Sequence, residues 1–399
     1  MTRELKIGFL PLVDACLPIL AQEHGFAEEE GLALTFLRDV SWATVLDRLL
    51  YGHSDAAHML APLAIATTLG RGRPASSLVA PFVLGLNGNA ITVAKPLAQK
   101  ICKPGGFGDP AAVGAALKQE LEASNRRMRF GVVHRYSSHS YKLRYWLAAS
   151  GIRPDKDVEI VTIAPPFVAD ALAAGEIDGA SVGEPWNSVS VERDVGTIVL
   201  ATAQIWRRGV EKVLAMKEGV MTDRRENVES LIRALRKAGA HFVDPENWET
   251  NARILAQESY LNAPEELVRR SISDHLVLVK GAGEVHYPDF MFQHSEAANF
   301  PWVSQAAWLY SQMVRWGQVE YDAEVARRAA GVFRPDVYRS ALKDTGDDLP
   351  AANSKVEGSV SQLTQIGAQQ GTITLSANSF FDGRSFDPEM IEAYLAQLP

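Results

Sequence analysis

Short apolar runs alternate with stretches of helical periodicity through the first half of the chain. This alternation is typical of βα units that build a parallel sheet. The pattern predicts strands at residues 5–9, 32–37, 56–59, 90–93, 129–133, 157–162 and 179–182, and helices at 17–30, 42–51, 111–124, 140–149 and 167–174. From Arg224 to about Arg339 the pattern turns mostly helical, and we interpret residues 345–359, rich in Gly, Asp, Ser and Asn, as a long surface excursion.

One short pattern occurs twice, each time after an amphipathic helix. Residues 52–62 and residues 175–185 both read G-x-x-D-[AG]-A-x4-P. The Gly ends a helix, the Asp lies in a tight turn, a buried strand of small residues follows, and the Pro opens the next helix, where its missing N–H costs nothing. The repetition favours two similar lobes, although common turn chemistry could also produce it.

Composition narrows the function classes. The chain has 399 residues, of which 47% are apolar and 22% charged, as in ordinary globular proteins. At about 150 residues a domain, this length predicts two or three domains. Lys and Arg number 40 against 48 Asp and Glu, so the net charge is −8. This balance argues against direct nucleic-acid binding, which needs clustered positive charge, but a small anion can still bind in a locally positive pocket.

The start of the chain and its cysteines bear on location. Cys16 and Cys102 are too few for a disulfide framework or a cysteine zinc site. Asp14 interrupts the first apolar run, which therefore predicts a β-strand rather than a secretory signal. The sequence contains no apolar window long enough for a membrane helix. We therefore expect a cytoplasmic protein with no membrane contact.

An ordered series of motifs resembles the nitrate/bicarbonate-type substrate-binding proteins of ABC transporters. The motifs are IGFLPL at 7–12, VSW at 40–42, DAAHMLAPL at 55–63, LNGNAIT at 86–92, His139 with RYWL at 144–147, VGEPWN at 182–187, TAQIW at 202–206 with EK at 211–212, PW at 301–302 with RWG at 315–317, and FDG at 381–383 with FDP at 386–388. Each motif alone is weak, but their order covers nearly the whole chain.

The resemblance implies a two-lobed α/β fold of the type II periplasmic-binding-protein kind, with the ligand in a cleft between the lobes. One lobe would comprise residues 1–88 and 205–399, and the other residues 89–204. Leaderless relatives are cytoplasmic nitrate/nitrite sensors of the Nas assimilation system, which hold an RNA-binding ANTAR-type (NasT-like) antiterminator protein inactive. The resemblance therefore implies a nitrate- or nitrite-binding sensor that releases this partner when ligand binds. The alternative is the substrate-binding subunit of an ABC transporter for nitrate, bicarbonate or an alkylsulfonate.

Nitrate is planar, monovalent and weakly basic, so its site needs a positive charge, several N–H or O–H donors and a wall that excludes water. Trp42 heads a helix and can offer an indole N–H and a flat wall. Asn89 follows a turn where the chain would cross between lobes, and its amide can donate. His139 lies in a polar loop that heads a helix, and helix N-termini favour anions. The alternatives are a buried Trp, a turn residue and a capping His.

Two further candidates come mainly from the resemblance. Lys212 matches the family position of the anion-binding lysine, although a lone Lys is usually a surface charge. Bicarbonate binders carry an acidic residue at that position, and because Glu211 is adjacent, a shift of one residue would change the predicted ligand. Glu184 follows a strand and either faces the cleft, shaping the pocket, or caps a helix. His58 is interpreted as a core histidine.

The sequence contains no Walker A motif, no H-E-x-x-H motif and no dinucleotide-binding glycine motif after a strand. The spacing of Glu284, His286, Asp289 and His294 fits no metal signature. We therefore expect a binding protein without catalytic residues, cofactor or metal.

Overall fold

The computed structural model describes residues 3–102 and 106–398. Its strands belong mainly to two sheets. The strands are β1 Arg3–Phe9, β2 Leu32–Arg38, β3 Ala56–Leu60, β4 Leu78–Asn87, β5 Asn89–Ala94, β6 Met128–Val132, β7 Val158–Thr162, β8 Gly179–Gly183, β9 Gly196–Ala201, β10 Val210–Lys217, β11 His275–Val277, β12 Glu284–His286, β13 Met291–Phe292, β14 Thr364–Gly367 and β15 Thr372–Leu375. The first sheet has the order β13-β4-β10-β3-β1-β2, and the second β7-β6-β8-β5-β9.

The two sheets repeat one arrangement. In the first sheet β1 is parallel to β2 and β3, while β10 is antiparallel to β3 and β4. In the second, β6 is parallel to β7 and β8, while β5 is antiparallel to β8 and β9. The repeated sequence pattern leads into β3 and β8, which hold equivalent positions, and Gly52 and Gly175 both have positive φ. The repetition in sequence therefore corresponds to a repetition in topology.

The antiparallel strands are exchanged between the sheets. The chain leaves the first sheet at the end of β4 and enters the second at β5, through Asn87 and Gly88, which both have positive φ. It returns between β9 and β10, so each sheet receives its antiparallel strand from the crossing chain. The strands of the first sheet lie within residues 1–88 and 205–399, and those of the second lie within residues 89–204. The division of the chain into two lobes at these boundaries stays a prediction.

Helices cover both sheets and make their central strands fully buried. They are α1 Cys16–Glu23, α2 Phe26–Glu29, α3 Trp42–Leu50, α4 Ala61–Thr68, α5 Lys95–Ile101, α6 Pro110–Ala123, α7 Ser138–Ala149, α8 Val168–Ala173, α9 Trp186–Glu192, α10 Thr202–Ile205, α11 Glu218–Asp223, α12 Arg225–Val243, α13 Trp248–Ala256, α14 Glu265–Ile272, α15 Val303–Arg315, α16 Ala323–Ala330, α17 Pro335–Leu342 and α18 Ile391–Ala396. In the part of the chain that the structure describes, no helix is long and apolar enough to span a bilayer.

Several elements differ from the sequence predictions. The helix predicted over residues 17–30 is interrupted at Gly25, whose positive φ separates α1 from α2. Strands β4, β9 and β10, which are buried along almost their whole length, do not appear among the predicted strands. Residues 345–359 contain no helix or strand, but Leu349 and Glu357 are buried, so this stretch is not wholly a surface excursion.

Gly114 in α6 gives a test of packing beneath α7. A Cβ at this position would lie 2.7 Å from Ser150 Cβ at the end of α7. A Cβ built on Gly219 in α11 would have no neighbour within 4 Å among the described residues. We expect Gly114→Ala to lower the free energy of unfolding by about 1–3 kcal/mol through overpacking. Gly219→Ala should leave stability unchanged or raise it by up to about 1 kcal/mol, because alanine favours helix. Denaturant unfolding of both variants measures the difference; equal stabilities would contradict the packing.

Candidate functional site

Polar side chains from both sheets meet at the edge where the parallel strands end. The antiparallel strands β5 and β10 begin at this edge, so their first residues join the loops that follow β1, β2 and β6. We call the following residues the polar cluster: Asp14, Trp42, His58, Asn89, His139, Lys142, Glu211 and Lys212. Each of them is at most 4% exposed. Groups of this kind are seldom buried unless they are paired.

Lys212 is the centre of the pairing. Its Nζ donates to Asp14 Oδ2 at 2.6 Å and to Glu211 Oε1 at 3.0 Å. The other oxygen of Asp14 accepts from His58 Nε2 at 2.8 Å. The ring centroid of Trp42 lies 5.4 Å from Lys212 Nζ. The predicted anion-binding lysine is thus buried in the cluster, and two carboxylates already balance its charge.

A bulge in β10 brings Glu211 and Lys212 into the same cluster. Consecutive strand residues normally point to opposite faces of a sheet. Here Val210 pairs with Leu86 and Lys212 with Gly85, so Glu211 is an extra residue in the register with β4. A bulge of this kind redirects a side chain. The sequence left open whether Glu211 or Lys212 lies at the site. In the structure both side chains lie in the polar cluster.

The start of helix α7, beside the second sheet, supplies further side chains to the polar cluster. Ser137 caps the helix, since its Oγ accepts from Ser140 N at 3.0 Å, and His139 follows in the first turn. His139 Nδ1 lies 3.2 Å from Glu211 Oε1, and Lys142 Nζ lies 3.5 Å from Glu211 Oε2. Glu211 therefore links strand β10 of the first sheet to helix α7 beside the second.

Lys142 reaches the junction between the sheets. Its Nζ donates to Asn87 Oδ1 at 3.1 Å and to the carbonyl oxygen of Gly209 at 3.4 Å. A Cβ on Gly209 would come within 2.7 Å of the Lys142 side chain, so the glycine leaves the room that this lysine occupies.

Several polar atoms of the cluster have no hydrogen-bond partner among residues 3–102 and 106–398. They are Trp42 Nε1, His58 Nδ1, Asn89 Oδ1, Glu211 Oε2 and both ring nitrogens of His139. Buried polar groups are nearly always satisfied, and each exception needs an explanation. Trp42 packs against the His58 ring at a centroid distance of 5.3 Å. Asn89 Oδ1 and Asp14 Oδ2 both lie within 4 Å of a Cβ built on Gly183. These unpaired atoms provide contacts that a small polar ligand can complete.

Glu184 has a different position from the other predicted site residues. Its Oε2 accepts from Ser188 N at 3.3 Å, so the side chain caps the start of α9, as one of the two sequence interpretations had it. Its carbonyl oxygen accepts from Val13 N at 2.9 Å, beside Asp14, and thus connects the loops of the two sheets. Burial raises the pKa of Glu184 to about 7.

The opposite charges within the cluster keep Asp14, Glu211 and Lys212 ionised in spite of their burial. Burial opposes the charge of Asp14, but Lys212 and His58 together hold the pKa of this carboxyl well below its usual range. Burial likewise opposes the charge of Glu211, yet His139, Lys212 and Lys142 lower its pKa to about 2. Burial disfavours the charge of Lys212, but Asp14 and Glu211 raise its pKa.

The remaining titratable groups respond mainly to burial. It lowers the pKa of Lys142 to about 8, against the opposing effect of Glu211. It lowers the pKa of His139 to about 4 and also lowers that of His58, so both rings are neutral at pH 7.

Sequence analysis missed part of this site. Asp14 and Lys142 were not predicted as site residues, and Glu211 entered only as the alternative to Lys212. His58, interpreted as a core histidine, is buried but belongs to the polar cluster. The available signal was the polar residue within an apolar stretch, as at Asp14 and His58. In the described part of the chain, no group of three or more His, Cys, Asp or Glu residues is placed to hold a metal ion.

Comparison with known proteins gives the chain's relatives. A family model described as "NMT1-like family" matches residues 1–256. The nitrate/nitrite binding protein NrtA of Nostoc sp. is 28% identical over 100% of this chain and 86% of its own length. The bicarbonate transport ATP-binding protein CmpC of Synechococcus elongatus is 29% identical over 99% of this chain, which spans only 55% of that longer protein. The crystal structure of the periplasmic nitrate-binding protein NrtA from Synechocystis superposes with a TM-score of 0.86 at 25% identity and covers 100% of this chain and 99% of its own.

The burial of Lys212 between two carboxylates leads to a stability test. Lys212→Met leaves Asp14 and Glu211 buried without their shared cation, and we expect a loss of about 3–5 kcal/mol in the free energy of unfolding. Lys217→Met is the matched control, because Lys217 ends the same strand, is partly exposed and donates only to Leu50 O among the described residues. Urea unfolding at pH 7 measures both. A loss for Lys212→Met no larger than that of the control would contradict the pairing.

Lowering the pH should reduce the difference in unfolding free energy between the wild type and Lys212→Met. Because the carboxyl pKa values of Asp14 and Glu211 are lowered by folding, their stabilising contribution is complete above the ordinary carboxyl pKa of about 4. It is lost as the pH falls towards the folded value, which for Glu211 is about 2. We therefore expect the two unfolding free energies to converge between pH 5 and about 2. A difference in unfolding free energy that stays constant over this pH range would show that the two carboxylates do not cause it.

Proposed function

The chain belongs to the NMT1-like family, and we propose that it binds nitrate or nitrite reversibly between its two lobes without chemically changing the ligand. The observation that carries the proposal is the polar cluster, in which buried side chains from both sheets meet and several polar atoms are unpaired. The similarity to nitrate-binding proteins over nearly the full length of both chains supports the choice of ligand.

The chemistry of the cluster suits a planar, weakly basic anion. Lys212, Lys142, the Trp42 indole and the His139 ring offer N–H donors, and the indole also forms an apolar wall. Nitrate accepts hydrogen bonds weakly, so it needs a site from which competing water is excluded. Near-complete burial of the cluster provides this low-dielectric environment. A weak acceptor is then held by several donors at once rather than by one strong ion pair.

Binding requires the lobes to open and close. Every predicted ligand contact is buried, so an anion reaches the cluster only when the contacts between β10 and α7 separate. We assign the lobes as residues 1–88 with 205–399, and residues 89–204, on the membership of the strands. The crossings at Asn87–Gly88 and between β9 and β10 then act as the hinge, since hinge motions are taken up by a few residues between rigid units.

The choice between nitrate and bicarbonate depends on ligand titration rather than on the identity of one residue. Relatives named for nitrate and for bicarbonate are almost equally similar to this chain, at 28% and 29% identity. Both Glu211 and Lys212 lie in the cluster. We propose nitrate or nitrite because the similarity to a nitrate-binding protein covers 86% of that protein's length. Calorimetric titration with nitrate, nitrite, bicarbonate and taurine tests the proposal; binding of bicarbonate or taurine alone would overturn it.

Trp42→Phe tests the indole N–H. The substitution keeps a flat ring but removes Nε1, which has no hydrogen-bond partner in the described structure. We expect nitrate to bind about tenfold more weakly, which corresponds to the loss of one hydrogen bond of roughly 1.4 kcal/mol, and the thermal midpoint to fall because the smaller ring leaves a gap at a buried position. Trp308→Phe is the control, because Trp308 lies outside the polar cluster. Its Nε1 donates to the Tyr394 hydroxyl at a distance of 3.2 Å. It should lose stability and keep its affinity; the reverse result would place the ligand elsewhere.

We propose a role in transport or sensing that follows from ligand-dependent closure. The relatives' names favour the substrate-binding component of an ABC-type nitrate importer, which would work outside the membrane. The second candidate role is that of a cytoplasmic sensor that holds an RNA-binding ANTAR-type antiterminator protein. In both roles a partner reads the difference between open and closed lobes, and linkage requires the partner to change ligand affinity by the same factor.

Size-exclusion chromatography of the chain co-expressed with a candidate antiterminator separates the two roles. If the chain is a sensor, a complex forms without nitrate and dissociates at millimolar nitrate or nitrite. Recovery of the native protein in the periplasm, together with no complex, supports the transporter role. A complex of equal stability with and without nitrate contradicts sensing through the cluster.

A further inference from the structure

The fixed charges of the polar cluster already cancel. Two carboxylates, Asp14 and Glu211, lie among two ammonium groups, Lys142 and Lys212, and all four are buried. The three close contacts are 2.6 Å between Lys212 and Asp14, 3.0 Å between Lys212 and Glu211, and 3.5 Å between Lys142 and Glu211. An added monovalent anion therefore brings an unbalanced negative charge into a region closed to water, which is strongly unfavourable.

His139 is the group best placed to supply the missing positive charge. Neither of its ring nitrogens has a hydrogen-bond partner in the described parts of the chain, while its Nδ1 lies 3.2 Å from Glu211 Oε1. Protonation would make both nitrogens donors, one towards Glu211 and one towards an anion. The charged groups that act on this ring are Glu211 and Lys212 from β10, Asp14 from the loop after β1, and Lys142 from its own helix.

We propose that an anion enters this site together with a proton, which is held on His139. This inference rests on the proposed function, and it adds that ligand affinity depends on pH through a group of the protein. Nitrate is the conjugate base of a strong acid, so the proton cannot reside on the ligand. The bound anion and the imidazolium then form a pair within the cluster and restore its electrical balance.

The resting protonation states are consistent with this coupling. Burial holds the pKa of His139 at about 4, so the ring is neutral near pH 6.5 before the anion binds. Glu211, with its pKa lowered to about 2, stays ionised, and Lys142, with a pKa of about 8, stays charged. A neighbouring anion raises the pKa of His139, because it favours the charged form of the ring.

Calorimetric titration of the full chain with sodium nitrate at pH 6.5 tests the proposal. The titration is repeated in buffers of different ionisation enthalpy, so that the slope of the observed heat against that enthalpy gives the number of protons taken up. We expect about one proton per nitrate bound, and an affinity that falls up to about tenfold for each pH unit between the pKa of free His139, about 4, and the higher pKa of liganded His139. Nitrate binding with no proton uptake overturns the inference but leaves the proposed function standing. No binding of nitrate or nitrite overturns both.

Variants identify the group that takes the proton. His139→Gln should bind nitrate more weakly and without proton uptake. His134→Gln is the matched control, since His134 is a largely buried histidine, also with a pKa of about 4, outside the cluster. Glu184→Gln removes the carboxyl whose pKa is about 7. Both variants should keep the wild-type proton count. A proton count that persists in His139→Gln, or is lost in either of the other two, contradicts the assignment to His139.

Discussion

Lys212 lies fully buried between Asp14 and Glu211, and the need to keep these three charges together constrains much of the molecule. A buried ion whose partner is removed costs several kcal/mol, so each member must be held at hydrogen-bond distance by its own element. Asp14 comes from the loop after β1, and the other two come from the start of β10. The pairing therefore fixes β10 against the first sheet at the point where the chain returns from the second.

The same charges connect the two sheets. Glu211 pairs with Lys212 within the first sheet and faces His139 and Lys142 on α7, which belongs to the second. Its carboxylate is thus a planar anion of the protein itself, surrounded by positive and neutral nitrogen groups from both lobes. The contacts that favour a closed cleft and the donors that an anion needs are largely the same groups. In the proposed function, ligand binding and closure of the lobes are coupled for that reason.

Fold and relatives agree on the general nature of the protein. The two sheets repeat one arrangement with exchanged antiparallel strands, and the chain superposes along its whole length on a periplasmic nitrate-binding protein. Its relatives are named as binding proteins or as components of nitrate and bicarbonate transport. The family model establishes the family, and the similarity to the crystal structure supports the two-lobed fold, while the proposed ligand contacts lie in the cluster. There the combination of Glu211 beside Lys212 gives this chain a balanced site rather than a simple positive pocket.

The amino-acid sequence by itself determined the α/β class, most strands of the first half and the repeated turn before β3 and β8, because periodicity and turn chemistry are local properties. Together with the resemblance it also pointed to Trp42, Asn89, His139 and Lys212, which the structure brings into one cluster. Only the tertiary structure decided that Glu211 joins Lys212, since a bulge depends on the register between β10 and β4. It also decided that Asp14 and Lys142, far apart in sequence, balance these charges, and that Glu184 caps α9. Pairing of buried charges depends on distances across sheets, and no local pattern in a sequence encodes those distances.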